Sequence, residues 1–148
     1  MTNSDPVVAA LESALADTYA VALKTQNYHW NVRGPQFFSL HGMFEEQYTA
    51  LHESVDELAE RIRALGHLSP GGFAAFQDLT SISDGDGSAS ANTMVGDLAK
   101  DHETVGDALA KSILVAQEAG DEVTVDLFIE KKTFHDKTAW MLRATLAS

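Results

Sequence analysis

The sequence predicts an all-α fold: a four-helix bundle with one short extra helix in a long crossing between the second and third helices. Three observations predict it. Apolar residues recur at helical spacing through most of the 148 residues, strand-like alternation is absent, and glycines stand where helices would stop. The length suits a single domain, residues 1–148, with one hydrophobic core.

The first helix is expected to open at Asp5-Pro6, an acidic cap followed by a proline in the first turn. It runs through Leu11, Leu15, Tyr19, Ala22 and Gln26 to about Val32, where Gly34-Pro35 breaks it. The second helix carries the clearest pattern. Phe37, His41, Phe44, Tyr48, Leu51, Val55, Leu58, Ile62 and Leu65 alternate in steps of four and three, the seam of a bundle helix, and Gly66 ends it. Residues 66–90 read as loop, with a short helix in FAAFQDL. A crossing that long lets the two middle helices run the same way, as in ferritin-like bundles. The third helix spans about Ala91 to Ala119, with Val95, Leu98, His102, Val105, Leu109, Ser112 and Ala116 on one side. The last spans Asp121 to Leu146, with Phe128, Phe134, Trp140 and Met141 among its apolar members.

Composition narrows the function. There are no cysteines, which removes disulfides, thiolate metal sites and cysteine nucleophiles, and fits a cytoplasmic location. No apolar run approaches a membrane span, and no secretory signal is evident. The net charge is −12 with only ten Lys and Arg, and no basic residue precedes Lys24, so direct DNA binding is not expected. An acidic surface favours solubility and draws cations; it is also the surface of a salt-adapted host.

The stretch NYHWNVRGPQFFSLHGMFEE places His29 and His41 on either side of the Gly34-Pro35 break. On a helical wheel, His41, Glu45, Asp56 and Glu60 drift along the flank of the second helix, pairing as His41/Glu45 and Asp56/Glu60 at i, i+4. Glu45 and Asp56 are about 16 Å apart along the axis, so one helix cannot close both pairs on one metal. Either the pairs serve separate purposes, or two antiparallel copies of the helix bring one pair opposite the other's across a two-fold axis near residue 50. A di-iron centre inside one bundle would use Glu-x-x-His. The residues three before the six histidines are Gln26, Phe38, Thr49, Ala64, Ala99 and Lys132, so that centre is not expected.

With these residues in place, the chain resembles the Dps-type mini-ferritins, twelve-subunit iron-oxidising cages of the ferritin-like superfamily. The matching text is NYHWNVRGPQFFSLHGMFEEQY, then DELAERIRALG, then HDKTAWMLRATL near the C-terminus. The resemblance implies that His29, His41 and Glu45 of one subunit face Asp56 and Glu60 of a two-fold partner. It implies a ferroxidase: Fe(II) is oxidised, preferentially by hydrogen peroxide, and stored as ferric mineral, with iron as the only cofactor. Two departures matter. The family often carries Asp where this chain has Glu45, and some relatives carry Glu where this chain has Gly42, leaving Glu46 as the neighbouring acid for mineral growth. The basic tails by which some relatives bind DNA are not evident. A structural or nucleoid-protecting oligomer with little ferroxidase activity is the alternative from another class, and a Zn or Mn hydrolytic site could use the same ligand types.

The remaining candidates have plainer readings beside them. His52 lies between the two pairs, as an extra ligand or as a surface or interface histidine. His102 and His135 fall at bundle-facing spacing as hydrogen-bonded core or interface residues, and His67 sits in the loop. Asp84-Gly-Asp-Gly-Ser resembles the start of a calcium loop but has Val95 where the bidentate Glu belongs, and reads as a turn. Asp121, Asp126 and Glu130 open the last helix. They suit a helix N-terminus and a solvated face, while the resemblance would place them along the three-fold pores where iron enters. Trp30, Tyr48 and Trp140 read as packing aromatics, with Trp30 beside the site and able to absorb stray oxidising equivalents.

Overall fold

The computed structural model describes residues 5–147. Five helices form: α1 (Pro6–Asn31), α2 (Phe37–Ala64), α3 (Phe73–Leu79), α4 (Ala91–Glu118) and α5 (Glu122–Leu146). The ends are set as the sequence indicated. Asp5 caps α1 by accepting from the Val7 and Val8 amides, Ser90 caps α4 through Thr93, and Asp121 caps α5 through Thr124. The turn between α1 and α2 needs Gly34, whose φ of 115° lies in the left-handed region.

Side-chain contacts fix the directions. Early α1 residues Pro6, Ala9 and Ser13 share a cleft with Thr104, Lys111 and Val115 of α4, whereas Lys24 reaches back to Asp97 and Asp101. α1 is therefore antiparallel to α4, and its short turn makes it antiparallel to α2. The middle helices α2 and α4 run the same way, the ferritin-like arrangement, with α3 lying on α1 inside the crossing.

Two apolar clusters fill the bundle. One gathers Val8, Leu11, Leu15, Leu58, Ile62, Leu109 and Phe128; the other gathers Tyr28, Leu40, Phe44, Met94, Leu98 and Leu142. The buried polar residues include Lys24, Asp101, His102 and His135. Lys24 pairs with Asp97 at 3.1 Å and Asp101 at 2.8 Å, and the Tyr28 hydroxyl donates to Asp97. Burial is the largest influence raising the pKa of both Tyr28 and Asp101. His102 and His135 face each other with 2.8 Å between their Nδ1 atoms.

Three expectations need correction. The buried stripe of α2 is Leu40, Phe44, Gln47, Leu51, Ser54, Leu58 and Ile62, which at about 100° per residue is rotated roughly 35° from the apolar seam. That rotation leaves Phe37, His41, Tyr48 and Val55 on an outward flank. Trp30 and Trp140 are 61% and 59% exposed and do not pack inside the subunit. Finally, α1 is long and apolar enough by length and composition to cross a membrane, with a mean hydropathy of 1.3 in its most apolar window. Its interspersed polar residues break the apolar run yet leave that mean high. The window is 56% buried within the bundle, so the apolarity serves the core.

Candidate metal centre

His29 lies in the last turn of α1 and His41 early in α2, and the Gly34-Pro35 turn folds one onto the other. Their rings stack at 3.8 Å between centroids and 12° between planes. His29 Nδ1 lies 2.7 Å from the His41 backbone oxygen, and His41 Nδ1 lies 2.7 Å from the His29 oxygen. A carbonyl can only accept, so each Nδ1–H donates. This reciprocal clasp also satisfies the His29 carbonyl, which lies in the final turn of α1, where helical partners run out. It fixes both tautomers: the lone pair of each ring sits on Nε2, the arrangement a metal-ligating histidine needs.

Around this pair, Glu45 Oε1 lies 3.8 Å from His29 Nε2 and is otherwise open to solvent. The Phe37 ring stacks against His41 at 4.9 Å, and the Tyr48 ring meets His29 edge-on at 5.2 Å. His29 is buried at 6% exposure and His41 half-buried, so the imidazoles are held in place.

Asp56 and Glu60 are both exposed, farther along α2. A hydrogen bond with Asp56, reinforced by the like charge, raises the Glu60 pKa. Two carboxylates this close repel one another, and a cation between them relieves that repulsion. Among the described residues no three His, Asp or Glu side chains gather as a single subunit's metal site. One chain therefore presents two separated parts: imidazoles with Glu45, and a carboxylate pair.

The other candidates fall elsewhere. Glu46 is exposed beside Glu45, and a Cβ on Gly42 would meet nothing within 4 Å. His52 is exposed and stands edge-on between Tyr48 at 6.1 Å and Tyr19 at 6.0 Å. Asp121 has a structural task. It caps α5 and pairs with Arg61 at 3.1 Å; burial would raise its pKa, but bonds from Thr124 and the Arg61 guanidinium bring it down. Asp126 and Glu130 are exposed on a cleft shared with Glu57 and Glu60, and Lys131 bridges Glu130 to Glu57 at 3.0 and 3.1 Å. His67 lies 3.9 Å from Asp5. Asp86 accepts from the Ser88 amide and hydroxyl, a local turn in place of a calcium loop.

The imidazole–carbonyl clasp escapes sequence reasoning, since backbone oxygens leave no mark in the residue pattern. The Lys24–Asp97–Asp101 group escaped it too, although a lysine on the buried side of an apolar helix is a readable signal.

The ferritin-like domain family matches residues 8–148. The chain is 39% identical over 140 residues to DNA protection during starvation protein 2 of Bacillus anthracis, covering 95% of this chain and 96% of that one. The crystal structure of Dps from Staphylococcus aureus superposes with a TM-score of 0.95 at 36% identity, covering 100% of this chain and 99% of that chain. A Dps protein of Vibrio cholerae O1, described as a member of the ferritin-like diiron-carboxylate proteins, gives 0.91 at 32% identity, over 95% and 89% of the two chains. Family match, full-length identity and bundle geometry agree, and the chain belongs to the ferritin-like family as a Dps-type mini-ferritin.

Proposed function

We propose that this protein is a ferroxidase and iron-storage cage whose oxidation sites lie between two-fold partners. His29, His41 and Glu45 of one subunit bind Fe(II) together with Asp56 and Glu60 of the next, in a homo-oligomer expected to be a dodecamer. The observation that carries this reading is the clasp: two imidazoles locked with both Nε2 lone pairs unused, beside a carboxylate, with a carboxylate pair too distant on the same helix.

Neutral imidazoles and carboxylates suit Fe(II) and leave coordination positions for peroxide or water. Hydrogen peroxide takes one electron from each of two Fe(II) ions, and with two protons becomes two waters. The Fe(III) formed favours oxygen ligands, so a site with no thiolate can release it to mineral growth within the cage, with Glu46 a candidate acidic surface. Oxygen is a slower oxidant in the same scheme. Asp121 is taken up by capping α5, whereas Asp126 and Glu130 share a cleft with Glu60, and entry of Fe(II) along that face follows from its charge.

Replacing His29 and His41 with Ala is the test. Peroxide-dependent Fe(II) oxidation is lost while size-exclusion chromatography still shows an assembled cage; wild-type rates in an intact cage would overturn the assignment. A gel shift at low salt addresses the DNA-protecting alternative, and the net charge of −12 predicts no direct complex.

A further inference from the structure

The two apolar clusters of the bundle are separated at the same place on every long helix. On α1 the first ends at Ala22 and the second begins at Tyr28. The corresponding bounds are Leu51 and Phe44 on α2, Val105 and Ala99 on α4, and Phe128 and Leu142 on α5. The gaps hold buried polar residues: Lys24 on α1, Gln47 on α2, Asp101 and His102 on α4, and His135 on α5. Contacts between helices put these at one height. His41 stacks on His29 and His52 stands edge-on to Tyr19, so Gln47, halfway between, lies opposite Lys24. Lys24 pairs with Asp101 at 2.8 Å, and His102 meets His135. A polar layer therefore crosses the core from α1 to α5.

Part of this layer has no protein partner. Both amide atoms of Gln47 and the Nε2 of His102 are buried, and none finds a hydrogen-bond partner among the described residues. Gln47 is 7% exposed and His102 fully enclosed, so neither bulk solvent nor a neighbouring subunit reaches these atoms. Three such groups left dry would offset a large share of a domain's marginal stability. We propose that the layer binds ordered water, with one molecule bridging α2 and α4 between the Gln47 amide and His102. With the His102 proton on Nδ1, toward His135, Nε2 offers a lone pair. The water donates to it and accepts from the Gln47 amide N–H, while a second water donates to the amide oxygen. Buried waters of this kind occur about once per 27 residues and satisfy polar groups the chain cannot. Among the described residues no three His, Asp or Glu side chains converge on a metal site, and Lys24 already neutralises Asp101. The chemistry calls for a neutral donor and acceptor, not a metal ion. The hydrated layer also fixes register: sliding α2 by one turn would carry the Gln47 amide into an apolar cluster, away from its water. None of this depends on the iron chemistry.

The test is a crystal structure of the wild-type protein at a resolution that locates ordered water, with anomalous data to identify metals. Beside it stands guanidinium unfolding of wild type and Gln47→Leu at fixed protein concentration. The expected density is a water within hydrogen-bonding distance of both the Gln47 amide and His102 Nε2, with no anomalous signal. Gln47→Leu strands that water and the His102 lone pair, so its unfolding midpoint should fall. A dry layer predicts the opposite, because leucine then removes two unpartnered atoms. A midpoint that stays or rises would overturn the proposal. So would a Gln47 amide bonded directly to a protein group, or a metal ion in the water's place. Should Gln47→Leu not fold, the wild-type density decides alone.

Discussion

Acidification from pH 7 to 5 acts on the buried His102–His135 pair before it reaches the ordinary carboxylates. Both rings are almost wholly enclosed, at 0% and 1% exposure, and the Nε2 of His102 has no hydrogen-bond partner. Since an orphaned buried N–H costs more than an orphaned lone pair, the favoured arrangement has His102 Nδ1–H donating to His135 Nδ1. Burial, then the positive charges of Lys131 and Lys132, depress the His135 pKa from 6.5 to about 4; burial, then His135 itself, depresses that of His102. The unfolded chain therefore binds protons below about pH 6.5 that the folded chain refuses, and stability falls as pH falls. For His135 alone the full gap is worth about 3 kcal/mol, of which about 2 kcal/mol is lost by pH 5. The assay is guanidinium unfolding of the metal-free protein at fixed protein concentration, at pH 7 and pH 5. The comparison is with His102→Leu/His135→Leu, which removes both partners together and is close to neutral at pH 7. With His102 adding to the His135 contribution, the wild type should lose at least about 2 kcal/mol more than the double variant over this interval. Equal losses in both would refute the reasoning.

Four further outcomes follow from named contacts. Lys24→Met leaves the Asp97 and Asp101 carboxylates facing each other without their buried cation, and should cost about 3 kcal/mol in a denaturation curve. Asp121→Ala removes the α5 cap and the Arg61 partner; a loss of about 1 kcal/mol is expected at pH 7. Because the folded Asp121 pKa is lowered, that difference from wild type should shrink as pH falls below the usual carboxylate range. Gly85→Ala would put a Cβ 2.8 Å from the Tyr28 ring, so a loss of about 1–3 kcal/mol is expected by thermal melting. Fe(II) under anaerobic conditions, or Zn(II), should raise the melting temperature of the metal-free protein, by about 2.7 kcal/mol of stabilisation at a hundredfold excess over Kd, and should not do so in His29→Ala/His41→Ala.

Helix existence and ends were legible because they are written locally, in Asp5-Pro6, Gly34-Pro35, Gly66 and Gly120, and in repeats of three and four. The face each helix buries was less so. On α2 the apolar seam through Phe37, Tyr48 and Val55 outscores the true stripe, which contains Gln47 and Ser54. Hydrophobicity alone cannot separate residues buried within a subunit from residues an oligomer covers, since both are apolar. The exposed Phe38, Trp30 and Trp140 pose the same ambiguity.

The candidate centre divides along the same line. Spacing paired His41 with Glu45 and Asp56 with Glu60 at i, i+4, a chemical pattern that survives without coordinates, and the family resemblance joined His29 to them. What spacing could not supply is the state of each group. The clasp decides which imidazole nitrogen is available, and it uses backbone oxygens that every residue possesses. Nor could spacing supply the contact with Asp56 that raises the Glu60 pKa. The rotation of the buried stripe that misled the packing forecast is also what turns His41, Tyr48, His52 and Glu45 outward together. A centre completed by a second chain requires that turn, because a ligand buried in its own bundle has no edge to offer a partner.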